Sequence, residues 1–181
     1  MVVLAGPTAV GKGTVLNKVH ELAPSLWQSV SVTTRPPRPG EIDGQHYHFI
    51  TEAQFDELVA NNELLEWATV HNNFRYGTPA KPVEQELAQG RTVLLEIDLA
   101  GARQVKKARP DAVLVFLAPP SFEELIRRSE KRGTETPAER EQRLATARAE
   151  MAAETEFDFT VVNTEITAAA KELLDLLGPT Q

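Results

Sequence analysis

The chain has 181 residues, a formal net charge of −7, 41% apolar residues and no cysteine. That length supports one domain with a real core, and two independent domains would be cramped. The missing cysteines exclude a disulfide framework and a thiolate metal site, the acidic balance argues against a general nucleic-acid binder, and no apolar run approaches the ~20 residues that a membrane-spanning helix needs. The chain opens on an apolar run without a basic stretch or a cleavage pattern, so a cytoplasmic protein that touches neither membrane nor nucleic acid is expected.

In chain order, residues 2–5 (Val-Val-Leu-Ala) read as a buried strand and residues 12–22 as a helix. Residues 27–78 then break the rhythm. Strands are expected at 29–33, 46–50 and 64–70, with a short capped helix at 51–59, and Pro36, Pro37, Pro39 and Gly40 interrupt the first pair. Beyond this strand-rich insertion, a helix at 84–89 stops at Gly90, and buried strands fall at 93–97, 112–117 and 159–162. Ser121 with Glu124 and Thr136 with Glu139 have capping-box spacing, and Pro137 suits a first helical position. Leu144, Ala147 and Met151 make an inward helical stripe, and a last helix at 171–177 stops at Gly178. Strands alternating with helices predict an α/β fold: a parallel sheet with helices on both faces.

The segment Gly6-Pro7-Thr8-Ala9-Val10-Gly11-Lys12-Gly13-Thr14 follows the first strand and opens the first helix. Glycines at 6, 11 and 13 allow positive φ and close approach of an anion, and backbone N–H groups at a helix start point at one spot. Lys12 can reach the β- and γ-phosphates of a nucleoside triphosphate as a point charge. The P-loop pattern has Ser or Thr directly after the lysine. Here Gly13 stands there and Thr14 comes one residue later, which makes Thr14 a tentative metal contact.

Arg35 and Arg38 lie three apart in a proline-stiffened segment, which suits a second phosphate site, and Tyr47 and Tyr76 can add phenolic donors. The pattern Ser31-Val-Thr-Thr-Arg35-x-x-Arg38-x-Gly40-Glu41-x-x-Gly44-x-x-Tyr47-x-Phe49 resembles the monophosphate-binding signature of guanylate kinases. Glu63-Leu-Leu-Glu66-Trp67, Tyr76-Gly77-Thr78-Pro79, Glu96-Ile-Asp98-Leu-Ala-Gly101 and Arg132-Gly133-Thr134-Glu135 follow in that family's order. The resemblance runs from residue 2 to about residue 177. It implies a P-loop kinase fold with a core at about 1–30, 79–126 and 145–181, a GMP-binding insertion at about 31–78 and a lid at about 127–144.

The resemblance further implies that Arg35, Arg38, Tyr47 and Tyr76 hold the GMP phosphate, and that Ser31, Glu66, Thr78 and Asp98 line the guanine pocket with Glu41 nearby. Arg128, Arg132 and Arg143 would contact ATP and the transferring phosphate. Arg132 would also lie against the adenine, with Asn163 as its base-contacting partner. Mg²⁺ would be held through Thr14, Glu96 and Asp98, by way of water. The reaction implied is ATP + GMP giving ADP + GDP, with dGMP as a further acceptor. Arg140 and Arg148 do not match family positions and read as surface ion-pair residues. Trp67 reads as packing, and His20, His46, His48 and His71 as surface or strand residues. The rival readings are a partner-binding guanylate-kinase-like domain without activity, a P-loop kinase for another acceptor, and a nucleic-acid-binding ATPase. The intact loop and lid arginines, the Arg35–Tyr47 pattern with Glu66, and the acidic balance argue against them in turn.

Overall fold

The computed structural model describes residues 1–70, 74–130 and 137–178. Five strands form one parallel sheet in the order β2-β7-β1-β8-β9, where β1 is Val2–Ala5, β2 Trp27–Gln28, β7 Val93–Glu96, β8 Val113–Ala118 and β9 Phe159–Val162. Period-two alternation sends neighbouring residues of each strand to opposite faces. Val2, Leu4, Leu94, Val115 and Leu117 join one core, and Val3, Ala5, Val93, Leu95 and Leu114 join the other. Helices α1 (Lys12–Leu22) and α7 (Ile166–Leu177) cover the first face through Val15, Leu16, Val19 and Leu173. Helices α3 (Ala80–Ala88) and α4 (Leu99–Ala108) cover the second through Val83, Ala102 and Val105. Strands buried on both faces by helices are what a parallel sheet requires.

A second, four-stranded sheet has the order β4-β3-β6-β5, with β3 at Val32–Thr33, β4 at His48–Phe49, β5 at Leu64–Val70 and β6 at Phe74–Pro79. Helix α2 (Glu52–Ala60) opens with a full capping box: the Thr51 hydroxyl accepts from the Gln54 N–H, and the Gln54 side chain accepts from the Thr51 N–H. Its Phe55 is fully buried and meets Trp67 edge-on. Gln104 of α4 ties this sheet to the core by accepting from the Trp67 N–H and donating to the Trp67 carbonyl.

Several boundaries differ from the sequence expectation. Of the strand expected at 29–33 only Val32 and Thr33 are strand, pairing with β4 and β6, while Trp27 and Gln28 just before it pair with β7 in the first sheet. Ser31 sits at the crossover between them. Strand β6 was not expected, because Gly77 and Pro79 weaken any strand pattern. It is nevertheless central, and its glycine allows the close approach of Leu64 and Trp67. Helix α3 starts at Ala80 rather than at 84, since Pro82 falls in the first turn, where no N–H is needed. Ser121 accepts from the Glu124 N–H at the start of α5 (Phe122–Glu130), while the Glu124 carboxylate takes Arg127 and Arg128 of its own helix. Pro137 does open α6 (Pro137–Ala152), and Ala147 is buried with Met151 packed against the same core. The expected Thr136–Glu139 pairing lies outside the described residues.

Candidate active site

The carboxyl ends of β1 and β7 meet at the centre of the parallel sheet, where the direction of strand order changes and a crevice is expected. From β1 the chain enters the loop at 6–11 and then α1. Gly11 caps that helix with φ 100°, no side chain caps it, and its first turn holds no acid. Its leading N–H groups are therefore available to an anion. A β-carbon at Gly11 would lie 2.9 Å from the Asn163 amide nitrogen and would sit at a positive φ, so a side chain there is disfavoured. Positive φ falls at a different set of loop positions from the three glycines expected. Gly13 lies in ordinary helical backbone inside α1, and Ala9 takes a left-handed conformation with φ 67°.

Lys12 folds back under the loop and donates to the carbonyls of Gly6 at 2.8 Å and Pro7 at 3.4 Å. Burial lowers its pKa, opposed by the charges of Glu96, Glu150 and Asp98. The loop is braced from outside. Arg128 donates to the Val10 carbonyl at 3.1 Å and to the Asn163 carbonyl at 3.3 Å, and is itself held by Glu124 at 2.9 Å. The Asn163 amide, 4% exposed, donates to the same Val10 carbonyl at 2.9 Å. Both side chains thus have loop-supporting contacts that the sequence reading did not assign. Thr14 is exposed on the first turn of α1.

A cavity of about 220 Å³ opens beside the lysine, between the two sheets, and is lined by Lys12, Ser31, Tyr47, Glu66, Tyr76, Glu96 and Asp98 together with Ala68 and Ile97. Glu66, on β5, is 5% exposed, and the Thr78 hydroxyl on β6 donates to it at 2.7 Å. Burial pushes its carboxyl up to about 7, against the Thr78 hydrogen bond and with some help from Asp98. Asp98 caps α4 by accepting from the Gly101 N–H at 2.7 Å. Burial also raises the pKa of Glu96, and Lys12 and Gln28 oppose it.

Arg35 is buried at one side of this cavity. It donates twice to Glu41, at 2.8 and 2.9 Å, to the Pro36 carbonyl at 2.8 Å and to the Tyr76 hydroxyl at 3.1 Å. Its guanidinium also lies 5.3 Å from the centre of the Tyr47 ring. A guanidinium has five N–H donors, so these bonds occupy most of them. The Tyr76 hydroxyl accepts from Arg35, which leaves its own proton for a ligand. Glu41, expected beside the base pocket, instead stands on Arg35 and on the Arg38 N–H, and this pairing drops its carboxyl to about 2. The Arg38 side chain is exposed.

A family model described as Guanylate kinase matches residues 1–179. The chain belongs to the guanylate kinase family. It is 59% identical over 178 residues to a guanylate kinase of Thermobifida fusca (strain YX), covering 98% of this chain and 90% of that one. It is 57% identical over 177 residues to one from Leifsonia xyli subsp. xyli (strain CTCB07), covering 98% and 70%. The crystal structure of guanylate kinase from Anaplasma phagocytophilum superposes with a TM-score of 0.80 at 34% identity, covering 98% of this chain and 83% of that one. The fold is accordingly that of a P-loop kinase, and the enzyme class is that of a nucleoside monophosphate phosphotransferase.

Within this guanylate kinase fold, the structure brings Ser31, Tyr47, Glu66, Tyr76 and Asp98 into one cavity with Lys12 and Glu96. Thr78 and Arg35 adjoin it through Glu66 and Tyr76. Arg143 lies in α6 and donates to the Ser129 hydroxyl. Arg132 and His71 lie outside the described residues. The sequence reading gave Gly101 no role beyond its place in the motif. A β-carbon there would lie 2.5 Å from a Glu66 carboxylate oxygen. Glycine inside a helix costs about 1 kcal/mol relative to alanine, so its place in α4 was a signal that something packs closely. Arg148, expected as an ion-pair residue, lies 5.3 Å from the centre of the Phe122 ring.

Among the described residues no group of three or more His, Asp or Glu could hold a metal by itself. Mg²⁺ ordinarily takes one or two carboxylates plus substrate phosphates and water. Glu96 and Asp98, together at the end of β7 and lining the same cavity as Lys12, fit that smaller demand.

Proposed function

We propose that the protein transfers the terminal phosphate of ATP to GMP, giving ADP and GDP, with dGMP as a second acceptor and the cytoplasm as its setting. The buried Glu66 carboxylate carries the reading of the acceptor. Guanine presents N1–H and an exocyclic amine side by side, and an ionised carboxylate accepts from both. Adenine offers a ring acceptor in place of N1–H and would leave the carboxylate unpaired. Sites of this kind discriminate by about 10⁴–10⁵-fold. Ser31, Thr78 and Asp98 complete the base pocket, with Ala68 and Ile97 as its apolar walls. Tyr47, Tyr76, Arg35 and Arg38 receive the acceptor phosphate.

The acceptor is itself a phosphate and needs little help from a general base, so catalysis is positioning plus charge stabilisation. Residues 6–14 cradle the ATP phosphates. Lys12 turns from the Gly6 and Pro7 carbonyls onto the β- and γ-oxygens, and Arg128, Arg132 and Arg143 offset charge on the transferring group. Arginines in such roles are worth about 10³–10⁵ in rate in related phosphoryl transfers. Glu96, Asp98 and Thr14 would hold Mg²⁺, which would supply charge neutralisation to the donor phosphates. Asn163 and Arg132 flank the adenine. The insertion at about 31–78 and the lid at about 127–144 close over both substrates and exclude water.

The deciding experiment is ADP release with ATP and GMP, AMP, UMP or CMP in turn. GMP-dependent release well above the other three is the expected result. Folded protein that releases ADP at the same rate with all four would refute the assignment of Glu66.

A further inference from the structure

Glu150 stands in the last turn of α6, yet it bonds to the phosphate loop. The Thr8 N–H donates to it at 2.9 Å and the Thr8 hydroxyl at 3.2 Å, across 142 positions of sequence. Its charge also reaches the Lys12 ammonium. Thr8 lies next to Ala9, whose left-handed φ of 67° costs about 1–2 kcal/mol in a residue with a β-carbon. The carboxylate therefore pins the loop beside its most strained residue.

Helix α6 is continuous over 16 residues, about 24 Å at 1.5 Å per residue. Arg143 lies seven residues before Glu150, close to two full turns, and hence on the same side. Both line one cleft of about 340 Å³ between α5, α6 and Thr8, with Ser129 and Thr146 on its rim. One rod thus carries an arginine at one place and a clamp on the phosphate loop two turns away.

We propose that Glu150 is a positioning residue: its bonds to Thr8 fix the point about which α6 turns, so that Arg143 is set against the phosphate that the loop holds. This rests on the reading of residues 6–14 as the ATP-phosphate site. The contact acts through reach, because it is made by hydrogen bonds of set length. Charge is secondary, since a second anion beside the cradle opposes ATP.

Two variants separate reach from charge. E150D keeps the charge but withdraws the carboxylate by one bond, about 1.5 Å. E150Q keeps the reach: its amide oxygen accepts from the Thr8 N–H and its NH₂ donates to the Thr8 hydroxyl. Displacements of about 1 Å in a transfer site can cost about 10²-fold in rate. The expected result is that E150D lowers kcat at least about tenfold and raises the ATP KM, with the GMP KM within about twofold of the parent. E150Q should stay within about threefold on all three. In an R143K background the E150D loss should shrink, because the two act as one unit. E150D at parental kcat and ATP KM overturns the proposal, as does E150Q falling as far as E150D. Strict additivity with R143K overturns the link to Arg143. A parent enzyme that turns over no ATP would instead remove the phosphate-site reading beneath it.

Discussion

Glu66 should make GMP binding depend on pH. Its carboxyl titrates at about 7 because burial outweighs the Thr78 hydrogen bond. In the proposed site the guanine edge brings two donors and would bind only the ionised form. Protons and GMP therefore compete, and apparent affinity falls as pH drops through 7. Ionised carboxylate makes up about nine-tenths of the population at pH 8 and about one-tenth at pH 6, so GMP should bind about tenfold more weakly at pH 6. The GMP phosphate itself has a second pKa of ~6 and adds a smaller factor in the same direction. Glu66→Gln separates the two, since it keeps the phosphate effect and removes the carboxyl. Titration calorimetry with GMP and no ATP, at pH 6, 7 and 8, gives the ratio of parent to variant. In buffers of different ionisation enthalpy the parent should also release about half a proton per GMP at pH 7. A ratio flat within twofold between pH 6 and 8, with no proton released, would refute the argument.

The same carboxyl has a cost in the ligand-free enzyme. Between pH 4.5, its ordinary value, and about 7, the folded state keeps a proton that the unfolded chain has lost, so stability from this group falls as pH rises across that window. The loss totals about 3 kcal/mol by pH 8, and melting curves of Glu66→Gln against the parent at pH 5 and pH 8 should show the variant gaining relative ground at the higher pH. Glu41 has the opposite sign. Its carboxyl is lowered to about 2 by Arg35, so its contribution is present above about 4.5 and is lost as pH falls toward 2; Glu41→Gln should lower the melting temperature at pH 7, and the gap should narrow below pH 4. Gly101→Ala would drive a β-carbon to 2.5 Å from the Glu66 oxygen, and should raise the GMP KM by about tenfold or more while leaving the ATP KM within about twofold, read from initial rates. Ala9→Gly should relieve the left-handed strain at φ 67° and stabilise the fold by up to about 1 kcal/mol, after the glycine's own entropy cost, as a higher denaturation midpoint.

Much of this was legible because local signals and global structure agree. Helix α1 and strands β1, β5 and β9 fall where the apolar patterns put them, since their side chains answer to the sheet faces or to the 3.6-residue period. The failures have physical causes. One β-rich run at 29–33 was read as one strand, although the backbone leaves the first sheet after Gln28 and joins the second at Val32, a change that leaves no mark in alternation. Strand β6 hides behind Gly77 and Pro79, whose fitness for that place depends on Leu64 and Trp67 across the sheet. In the site, seven of the side chains singled out from the sequence, Lys12, Ser31, Tyr47, Glu66, Tyr76, Glu96 and Asp98, line one cavity. What escaped was the set of contacts between distant residues: Glu41 on Arg35, Gly101 under Glu66, Gln104 on Trp67.

The phosphate loop shows the limit most sharply. Its glycine and lysine pattern is local and announces itself. Its shape without a ligand depends on groups far away in sequence: Arg128 and Asn163 on the Val10 carbonyl, Glu150 on Thr8. The Val10 carbonyl and the Thr8 N–H, which would otherwise need water, are thereby satisfied, and in the proposed site the loop would be in place before ATP arrives. Preorganised donors act on developing charge without reorganising during the reaction, so these distant braces belong to the chemistry as much as the motif does. It follows that Asn163→Ala should weaken ATP binding even where its side chain touches no adenine. It removes a donor from a carbonyl that Arg128 alone must then hold. Loss of ATP affinity with unchanged GMP affinity, measured by calorimetry for each ligand alone, is the expected signature. Equal losses for both ligands would mean that the brace supports the whole fold rather than the loop.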